Sequence, residues 1–225
     1  MQVVYKVMTI AGSDSGAGAG VQADLKTFAA FGVYGTSVIT AITAQNTQRV
    51  TQIMELSPGL IAAQIDAVVQ DIGASALKTG MLANAEIIAL VAEKIQEHRL
   101  PNLVVDPVMV AKGGDLLLRK DAIETLRSRL IPLATIVTPN LPEAEELTGI
   151  RGTRMQEIKD AARCLIDMGA RNVVIKGGHR KGPAKDIFYD GKKFRELTTP
   201  RISTPNTHGT GCTYSAAIAA SLAKG

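Results

Sequence analysis

The segment with the clearest chemical potential lies near the end of the chain, at residues 206–213 (NTHGTGCT). Gly209 and Gly211, on either side of Thr210, allow a tight backbone turn. The small apolar residues after Cys212, at 216–222, favour a buried helix that starts at Cys212. Successive amides at a helix N-terminus bind anions, and the helix dipole strengthens the attraction. An ordinary glycine turn before a core helix would have the same sequence pattern. We expect an anion site suited to the charge of a transferring phosphoryl group.

Cys212 stands at the start of that predicted helix. A thiol in this position is predicted to have a lowered pKa, because the amides and the dipole stabilise the thiolate. Such a thiolate can accept a proton from a substrate hydroxyl or act as a nucleophile itself. The competing interpretation is a small buried residue that fills a gap between helix and sheet. The second cysteine, Cys164, lies beside Leu165 within a predicted helix and is interpreted as structural.

A glycine-rich segment, residues 12–20 (GSDSGAGAG), follows the first predicted strand and precedes a predicted helix at 21–31. The spacing of a dinucleotide-binding loop fails, because Val21 stands where the third glycine belongs, and the sequence has no Walker A loop. We interpret the segment as a substrate loop, in which Gly12 allows close approach and Asp24 offers a carboxylate. A flexible turn is the alternative.

Polar residues also follow three later strands. Asp106 ends one strand, Asn140 and Glu143 follow another, and Lys176 ends a third. Carboxylates in such positions can hold Mg²⁺ directly or through water, and an ammonium group can face the phosphates of ATP. Taken singly, each residue also has a structural interpretation as a turn, a helix cap or a solvated charge.

The remaining ionisable residues give weaker signals. His98, His179 and His208 are scattered and predict no metal site, although His208 is expected to orient the anion loop by a hydrogen bond. Lys78 and Arg49 have no local context that separates them from surface charge.

Alternating strands and helices must position these side chains. Short runs rich in Val and Ile predict strands at 3–11, 37–44, 76–79, 103–108, 135–138 and 173–176. Apolar residues recur at helical spacing between them, at Ile87, Val91, Ile95, Ile123, Leu126, Leu130, Ile158, Ala162 and Leu165. This alternation predicts an α/β fold with a mainly parallel sheet and helices on both faces. Ligands of such sheets gather beyond the carboxyl ends of the strands.

Two segments depart from the alternation. Residues 48–56 predict an extra strand, and residues 186–200 predict a hairpin around Asp190-Gly191. We expect both to be antiparallel additions at a sheet edge or flap. Without internal repeats or linkers, the chain is predicted to form a single domain over 1–225.

Composition narrows the class of protein. The 225 residues carry a net charge of only +4, with 4% aromatic residues and no Trp, which argues against a nucleic-acid partner. No apolar run approaches the roughly 20 residues of a membrane helix, and the N-terminus does not resemble a signal peptide. The two cysteines have neither metal nor redox spacing. A cytoplasmic location is expected.

Taken together, the motifs resemble those of the hydroxymethylpyrimidine/phosphomethylpyrimidine kinases, in that family's order and over essentially the whole chain. The similar segments are 12–24, 43–47 (TAQNT), 78–81 (KTGM), 105–109 (VDPVM), 138–143 (TPNLPE), 176–179 (KGGH) and 208–212 (HGTGC). The resemblance implies a ribokinase-like fold and a homodimer. It also implies the phosphorylation of 4-amino-5-hydroxymethyl-2-methylpyrimidine, and then of its monophosphate, by Mg-ATP in thiamine biosynthesis.

The resemblance also implies roles for the matching residues. Gln45 is expected to hydrogen-bond the aminopyrimidine, Gly12 and Asp24 to make polar contacts, and Met81 and Val108 to form apolar walls. The expected Mg-ATP phosphate site consists of Asp106, Asn140, Glu143 and Lys176, with Asp106 and Glu143 as the magnesium ligands. Gly209, Thr210, Gly211 and Cys212 are expected to form the anion hole, with Cys212 as the base.

Other functions remain open at this stage. Sugar kinases of the superfamily have Asp where this chain has Cys212, whereas some vitamin B6 kinases share the cysteine, so pyridoxal and pyridoxine are alternative substrates. Gln45 favours the aminopyrimidine. Family members usually continue beyond the helix at Cys212, whereas this sequence ends at Gly225. A silent pyrimidine-binding module is therefore a further alternative, and a Rossmann oxidoreductase is disfavoured by the glycine spacing.

Overall fold

The computed structural model describes residues 3–110, 114, 117–119, 121–178 and 183–225. Within these residues one sheet has the strand order β3-β2-β1-β4-β5-β6-β7-β8-β9. The strands are β1 (Lys6–Asp14), β2 (Tyr34–Gln45), β3 (Val50–Glu55), β4 (Ala76–Thr79), β5 (Leu103–Val105), β6 (Ile136–Val137), β7 (Val173–Ile175), β8 (Ala184–Tyr189) and β9 (Phe194–Thr199).

Seven α-helices cover the sheet in the described part of the chain. They are α1 (Gly20–Ala30), α2 (Pro58–Asp71), α3 (Ala85–Glu97), α4 (Ala122–Thr125), α5 (Leu141–Thr148), α6 (Met155–Asp167) and α7 (Thr210–Lys224). Helix α4 continues into a π-helical turn, Leu126–Leu130, and a 3₁₀ turn, Ile131–Leu133. No helix among the described residues combines the length and the apolar character that crossing a bilayer requires.

The neighbouring strands β2, β1, β4, β5, β6 and β7 run parallel in the middle of the sheet. Strands β3, β8 and β9 pair antiparallel at the two edges. The prediction of a mainly parallel sheet with antiparallel edge additions is therefore confirmed. Several bounds differ from the prediction. Strand β1 continues to Asp14, so the first residues of the glycine-rich segment belong to the sheet, and helix α7 begins at Thr210 rather than after the glycines.

Alternation along the strands divides the core between the two faces of the sheet. In β1, Met8 and Ile10 belong to the larger cluster, which packs under α2, α3 and α6. Val7 belongs to the smaller cluster, together with Phe28 of α1 and the alanines of α7. Because side chains alternate with a period of two, every second strand residue faces the α1/α7 layer.

Small residues bring α7 close to the sheet. Ala216, Ala219, Ala220 and Ala223 are buried and recur at helical spacing, so they form one apolar stripe. Because alanine extends little beyond the backbone, the helix axis can approach the strands, and Phe28 supplies the bulk that fills the rest of this layer.

Phe28→Ala is predicted to lower the free energy of unfolding by about 3–5 kcal/mol, because it removes a fully buried aromatic ring from the smaller cluster. Phe31→Ala is the matched control, since Phe31 ends the same helix and is 39% exposed. Its substitution is expected to cost less than about 1 kcal/mol. Urea unfolding measures both values, and equal losses would contradict the packing described for this layer.

Candidate active site

A row of polar side chains lies at the carboxyl edge of the sheet on the α1/α7 face. Each member follows an apolar residue of the smaller cluster by two positions, so it faces the same side one step farther along its strand. The row consists of Thr9, Lys78, Asp106, Thr138 and Lys176, which follow Val7, Ala76, Val104, Ile136 and Val174. The alternation that builds the core therefore also places Asp106 and Lys176, which the sequence analysis expected at strand ends, on one face of the sheet.

Asp106 connects three elements at this edge. Its Oδ1 accepts a hydrogen bond from Lys176 Nζ at 2.9 Å, and its Oδ2 accepts one from Ser215 Oγ of α7, also at 2.9 Å. The carboxylate is 2% exposed. Burial opposes the charge of Lys176, but the carboxylates of Asp106 and Glu143 outweigh it and raise the pKa of the lysine. The site therefore keeps a permanent cation that can face phosphate oxygens.

Glu143 and Asn140 form the capping box of α5. Asn140 Oδ1 accepts from the Glu143 amide at 2.9 Å, and Glu143 Oε2 accepts from the Asn140 amide at 2.7 Å. The structural interpretation of Glu143 as a helix cap is thus confirmed. Burial, together with the charge of Asp106, nevertheless raises the pKa of Glu143 to about 7, against the attraction of Lys176.

The two carboxylates suit a divalent cation shared with phosphates. The described residues contain no cluster of three or more His, Cys, Asp or Glu side chains arranged to hold a metal. Mg²⁺ keeps several waters and is commonly held by one or two carboxylates plus substrate phosphates, so Asp106 and Glu143 fit that arrangement. A cation there would also offset the cost of ionising Glu143.

The N-terminus of α7 faces the Asp106–Lys176 ion pair. Its first amides lack intrahelical acceptors, and no side chain caps the helix. A Cβ added to Gly211 would lie 3.5 Å from Lys176 Nζ and 4.0 Å from Asp106 Oδ2, so the open backbone of the anion loop is next to both charges. An anion held at these amides therefore lies beside the lysine.

A second contact fixes the anion loop against the glycine-rich loop. His208 Nε2 lies 2.8 Å from Asp14 Oδ2, which confirms the predicted loop-orienting role of His208. Asp14 also accepts the amides of Gly16, Gly18 and Ala19. Burial alone would raise the pKa of Asp14, but these hydrogen bonds, first that of His208, lower it overall.

Gly209 shows why this junction needs glycine. Its φ is +78°, in the left-handed region, and a Cβ there would lie 1.6 Å from the carbonyl oxygen of Gly18. The two loops therefore meet through a close approach of their backbones.

Asp14, which binds His208 of the anion loop, is a site residue that the sequence analysis did not identify.

Two expectations about charge were wrong. Cys212 does not have a lowered pKa, because burial of the thiol is the largest effect and raises it, although Lys78 and the Gly20 amide act in the opposite direction. Lys78 is not a surface charge. It is 0% exposed, and its Nζ lies 2.9 Å from Asp24 Oδ2. Arg49 is exposed, as expected, and His179 lies outside the described residues.

The residues expected to contact substrate fall into separate groups. Gly12 lies against Met81, since an added Cβ would be 3.0 Å from its sulfur. Gln45 ends β2, and its Oε1 accepts from Thr43 Oγ1 at 3.1 Å. Val108 is partly exposed and lines a pocket together with Gly80 and Asp106.

Asp24 is fully buried, with its oxygens bound by Lys78 and Thr9. The contacts expected between Asp24, the other substrate residues and a ligand stay predictions.

The fold and the site agree with a ribokinase-like kinase. The sheet is mainly parallel with antiparallel edges, and an uncapped helix N-terminus lies beside the Asp106–Lys176 pair. Residues 14–225 match the family model described as phosphomethylpyrimidine kinase. The chain belongs to the phosphomethylpyrimidine kinase family.

The relatives agree with this assignment. The chain is 50% identical over 224 residues to a hydroxymethylpyrimidine/phosphomethylpyrimidine kinase of Bacillus subtilis, covering 99% of this chain and 83% of that protein. It is 53% identical over 220 residues to the thiamine biosynthesis bifunctional protein ThiED of Geobacter sulfurreducens, covering 97% of this chain but only 45% of that protein.

The crystal structure of an ADP complex of Bacillus subtilis pyridoxal kinase superposes with a TM-score of 0.92 at 44% identity, covering 99% of this chain and 85% of that one.

Glu143→Gln is predicted to flatten the pH dependence of stability. The folded-state pKa of about 7 lies above the ordinary 4.5, so between these pH values the folded chain holds a proton that the unfolded chain has lost. The contribution of this group to the free energy of unfolding therefore falls by roughly 3 kcal/mol as the pH rises through that window. Urea unfolding at pH values near each end measures the slope.

Glu86→Gln serves as the control, because Glu86 is an exposed carboxylate in the first turn of α3. It is expected to keep the wild-type slope. A Glu143→Gln slope equal to that of the wild type would contradict the buried state of Glu143.

Proposed function

We propose that the chain transfers the γ-phosphoryl group of ATP to the hydroxymethyl oxygen of 4-amino-5-hydroxymethyl-2-methylpyrimidine, and in a second reaction to the phosphate of the monophosphate. Both reactions belong to thiamine biosynthesis. The observation that carries the proposal is the position of the α7 N-terminus beside the Asp106–Lys176 pair. The names of the relatives that cover most of this chain support the choice of substrate.

Charge stabilisation is the main task of this site. A transferring phosphoryl group passes through a loose transition state with charge spread over its oxygens, so positioned donors do most of the catalysis. The amides of Gly211 and Cys212 and the ammonium of Lys176 would face those oxygens. Asp106 orients Lys176, and Ser215 orients Asp106. When bound, Mg²⁺ would neutralise phosphate charge beside Asp106 and Glu143.

Cys212 is the proposed acceptor of the hydroxyl proton. It is the third residue of α7, whose first turn lies beside Lys176 and which packs against α1. Because bond formation to the incoming oxygen is late in a loose transition state, the proton can leave late as well. Gln45 would orient the aminopyrimidine from the end of β2, and Gly12, Met81 and Val108 would surround the ring.

A pyridoxal kinase activity is the second candidate. The pyridoxal kinase of Bacillus subtilis has nearly the same fold, with a TM-score of 0.92. Gln45 supports the pyrimidine, because its amide carries both a donor and an acceptor and can therefore pair with an aminopyrimidine edge. The homodimer is a part of the proposal that rests on the resemblance alone, and the cytoplasmic location is a part that rests on the composition of the sequence.

The test is ADP release by the purified chain with Mg-ATP and three acceptors: hydroxymethylpyrimidine, its monophosphate and pyridoxal. Turnover with both pyrimidines and little with pyridoxal is expected. A preference for pyridoxal would move the chain to the second candidate. Binding of the pyrimidine without ADP release would favour a silent module.

The same assay tests the proton acceptor. Cys212→Ala is expected to lower turnover with hydroxymethylpyrimidine by about 10²–10⁴-fold, the usual contribution of a positioned base. Cys164→Ala, on α6 and away from the site, is the matched control and is expected to turn over like the wild type. Near-normal turnover of Cys212→Ala would remove the base from the mechanism but leave the anion site intact.

A further inference from the structure

Lys78 and Asp24 form a fully buried ion pair next to the site. Lys78 Nζ lies 3.0 and 2.9 Å from the two carboxylate oxygens of Asp24, and Thr9 Oγ1 donates to Asp24 Oδ2 at 2.6 Å. Both charged side chains are 0% exposed. Desolvating two charges is expensive, and apolar pairs of similar volume are often as stable or more so. Stability alone therefore does not account for charges at these two positions.

The pair lies in the same layer as Cys212, because α7 packs against both α1 and β4. Lys78 is the third residue of β4 and faces the same side as Ala76, which packs in the smaller cluster with the alanines of α7. Asp24 lies one helical turn after Gly20 on α1, so the two residues are on the same side of that helix, and α1 packs against α7. Cys212, Asp24 and Lys78 thus belong to three elements, α7, α1 and β4, of one packed layer.

Gly80, directly after β4, leaves room for the ammonium of Lys78. A Cβ added to Gly80 would lie 2.9 Å from Lys78 Nζ and 3.0 Å from the side chain of Ala11. Any larger residue at position 80 would displace the lysine or the neighbouring strand. The ammonium is therefore bound by Asp24 on one side, and the missing side chain of Gly80 leaves the space that it needs on the other.

Charges of both signs face Cys212. Lys78 on β4 and Lys176 after β7 attract a thiolate, whereas Asp24 on α1 and Asp106 after β5 repel it. Burial of the thiol opposes ionisation most strongly, and Lys78 is the largest influence in favour of it. If the charge of Lys78 were removed, only weaker influences would remain to favour the Cys212 thiolate against the effect of burial.

We propose that Lys78 is a positioning residue for Cys212, whose buried ammonium, fixed by Asp24, stabilises the thiolate that accepts the substrate proton. The role rests on the proposed function of Cys212 as the base. In that step the substrate O–H bond breaks and an S–H bond forms on Cys212. The freed oxygen pair bonds to the γ-phosphorus, and the bond from phosphorus to the bridging oxygen breaks, so that ADP leaves. Asp24 takes no proton and serves to hold the lysine.

The test is the rate at which iodoacetamide alkylates Cys212, followed by peptide mass spectrometry over a range of pH. Alkylation requires the thiolate, so the pH midpoint of the rate reports its stability. Lys78→Met is expected to move the midpoint up by about one unit or more, and Asp24→Asn to move it down. Loosened packing would move both midpoints in the same direction, so opposite shifts identify an electrostatic role.

Cys164 of the same chain is the internal reference, since its alkylation profile should not change in any variant. If Lys78→Met fails to fold, the neutral pair Asp24→Asn with Lys78→Met replaces it, because it leaves no buried charge unpaired. That double variant is also expected to shift the midpoint up. Midpoints that move in the same direction for both single variants, or that do not move, would overturn the proposal.

The activity assay separates this proposal from the proposed function. Lys78→Met is expected to lower kcat at neutral pH, to recover toward the wild-type value at higher pH, and to leave the KM for ATP unchanged. If Cys212→Ala turns over normally, the base is wrong, but the alkylation midpoints still decide whether Lys78 stabilises the thiolate.

Discussion

The carboxylate of Asp106 is the point on which the arrangement of the site depends. It lies just after β5, binds Lys176 beyond β7 and accepts the hydroxyl of Ser215 in α7. A buried carboxylate must find partners for both oxygens or pay the cost of desolvation. Lys176 and Ser215, from two other elements, are those partners. The fold therefore brings the N-terminus of α7 and the Lys176 ammonium close together at the edge of the sheet.

The rest of the α1/α7 layer follows from this constraint. The alanine stripe of α7 lets the helix lie near the strands, and the Asp14–His208 contact fixes the loop that precedes it. Gly209 and Gly18 approach backbone to backbone, so the two loops are packed directly against each other. The anion site is therefore built before any ligand arrives, which is the condition for electrostatic stabilisation of a transferring phosphoryl group.

Much of this could be predicted from the sequence because local signals agree with the fold. The short Val- and Ile-rich strands, the hairpin at Asp190-Gly191 and the polar residues at strand ends each have a physical reason visible in the letters. Helix α2 was missed although Ser57 caps it, Pro58 begins it, and Ile61 and Ile65 are its buried residues. That signal was available in the sequence.

The failures concern charge and long-range contact. The burial of Lys78 depends on Asp24, 54 residues away in sequence, so nothing near position 78 separates it from a surface lysine. The pKa of Cys212 depends on a balance between burial and charges on three other elements, whereas the sequence shows only the helix N-terminus. Asp14 was missed because its partner, His208, is 194 residues away.

The most direct test of the account is calorimetric titration with the non-hydrolysable ATP analogue AMP-PCP, with and without Mg²⁺. The wild-type chain is expected to bind the analogue more tightly with Mg²⁺, and Asp106→Asn to lose that difference. Asp66→Asn changes a carboxylate of α2 that pairs with Lys94 of α3, and this variant should bind like the wild type. If Asp106→Asn keeps the full Mg²⁺ dependence, Asp106 does not organise the phosphate site and the central claim is wrong.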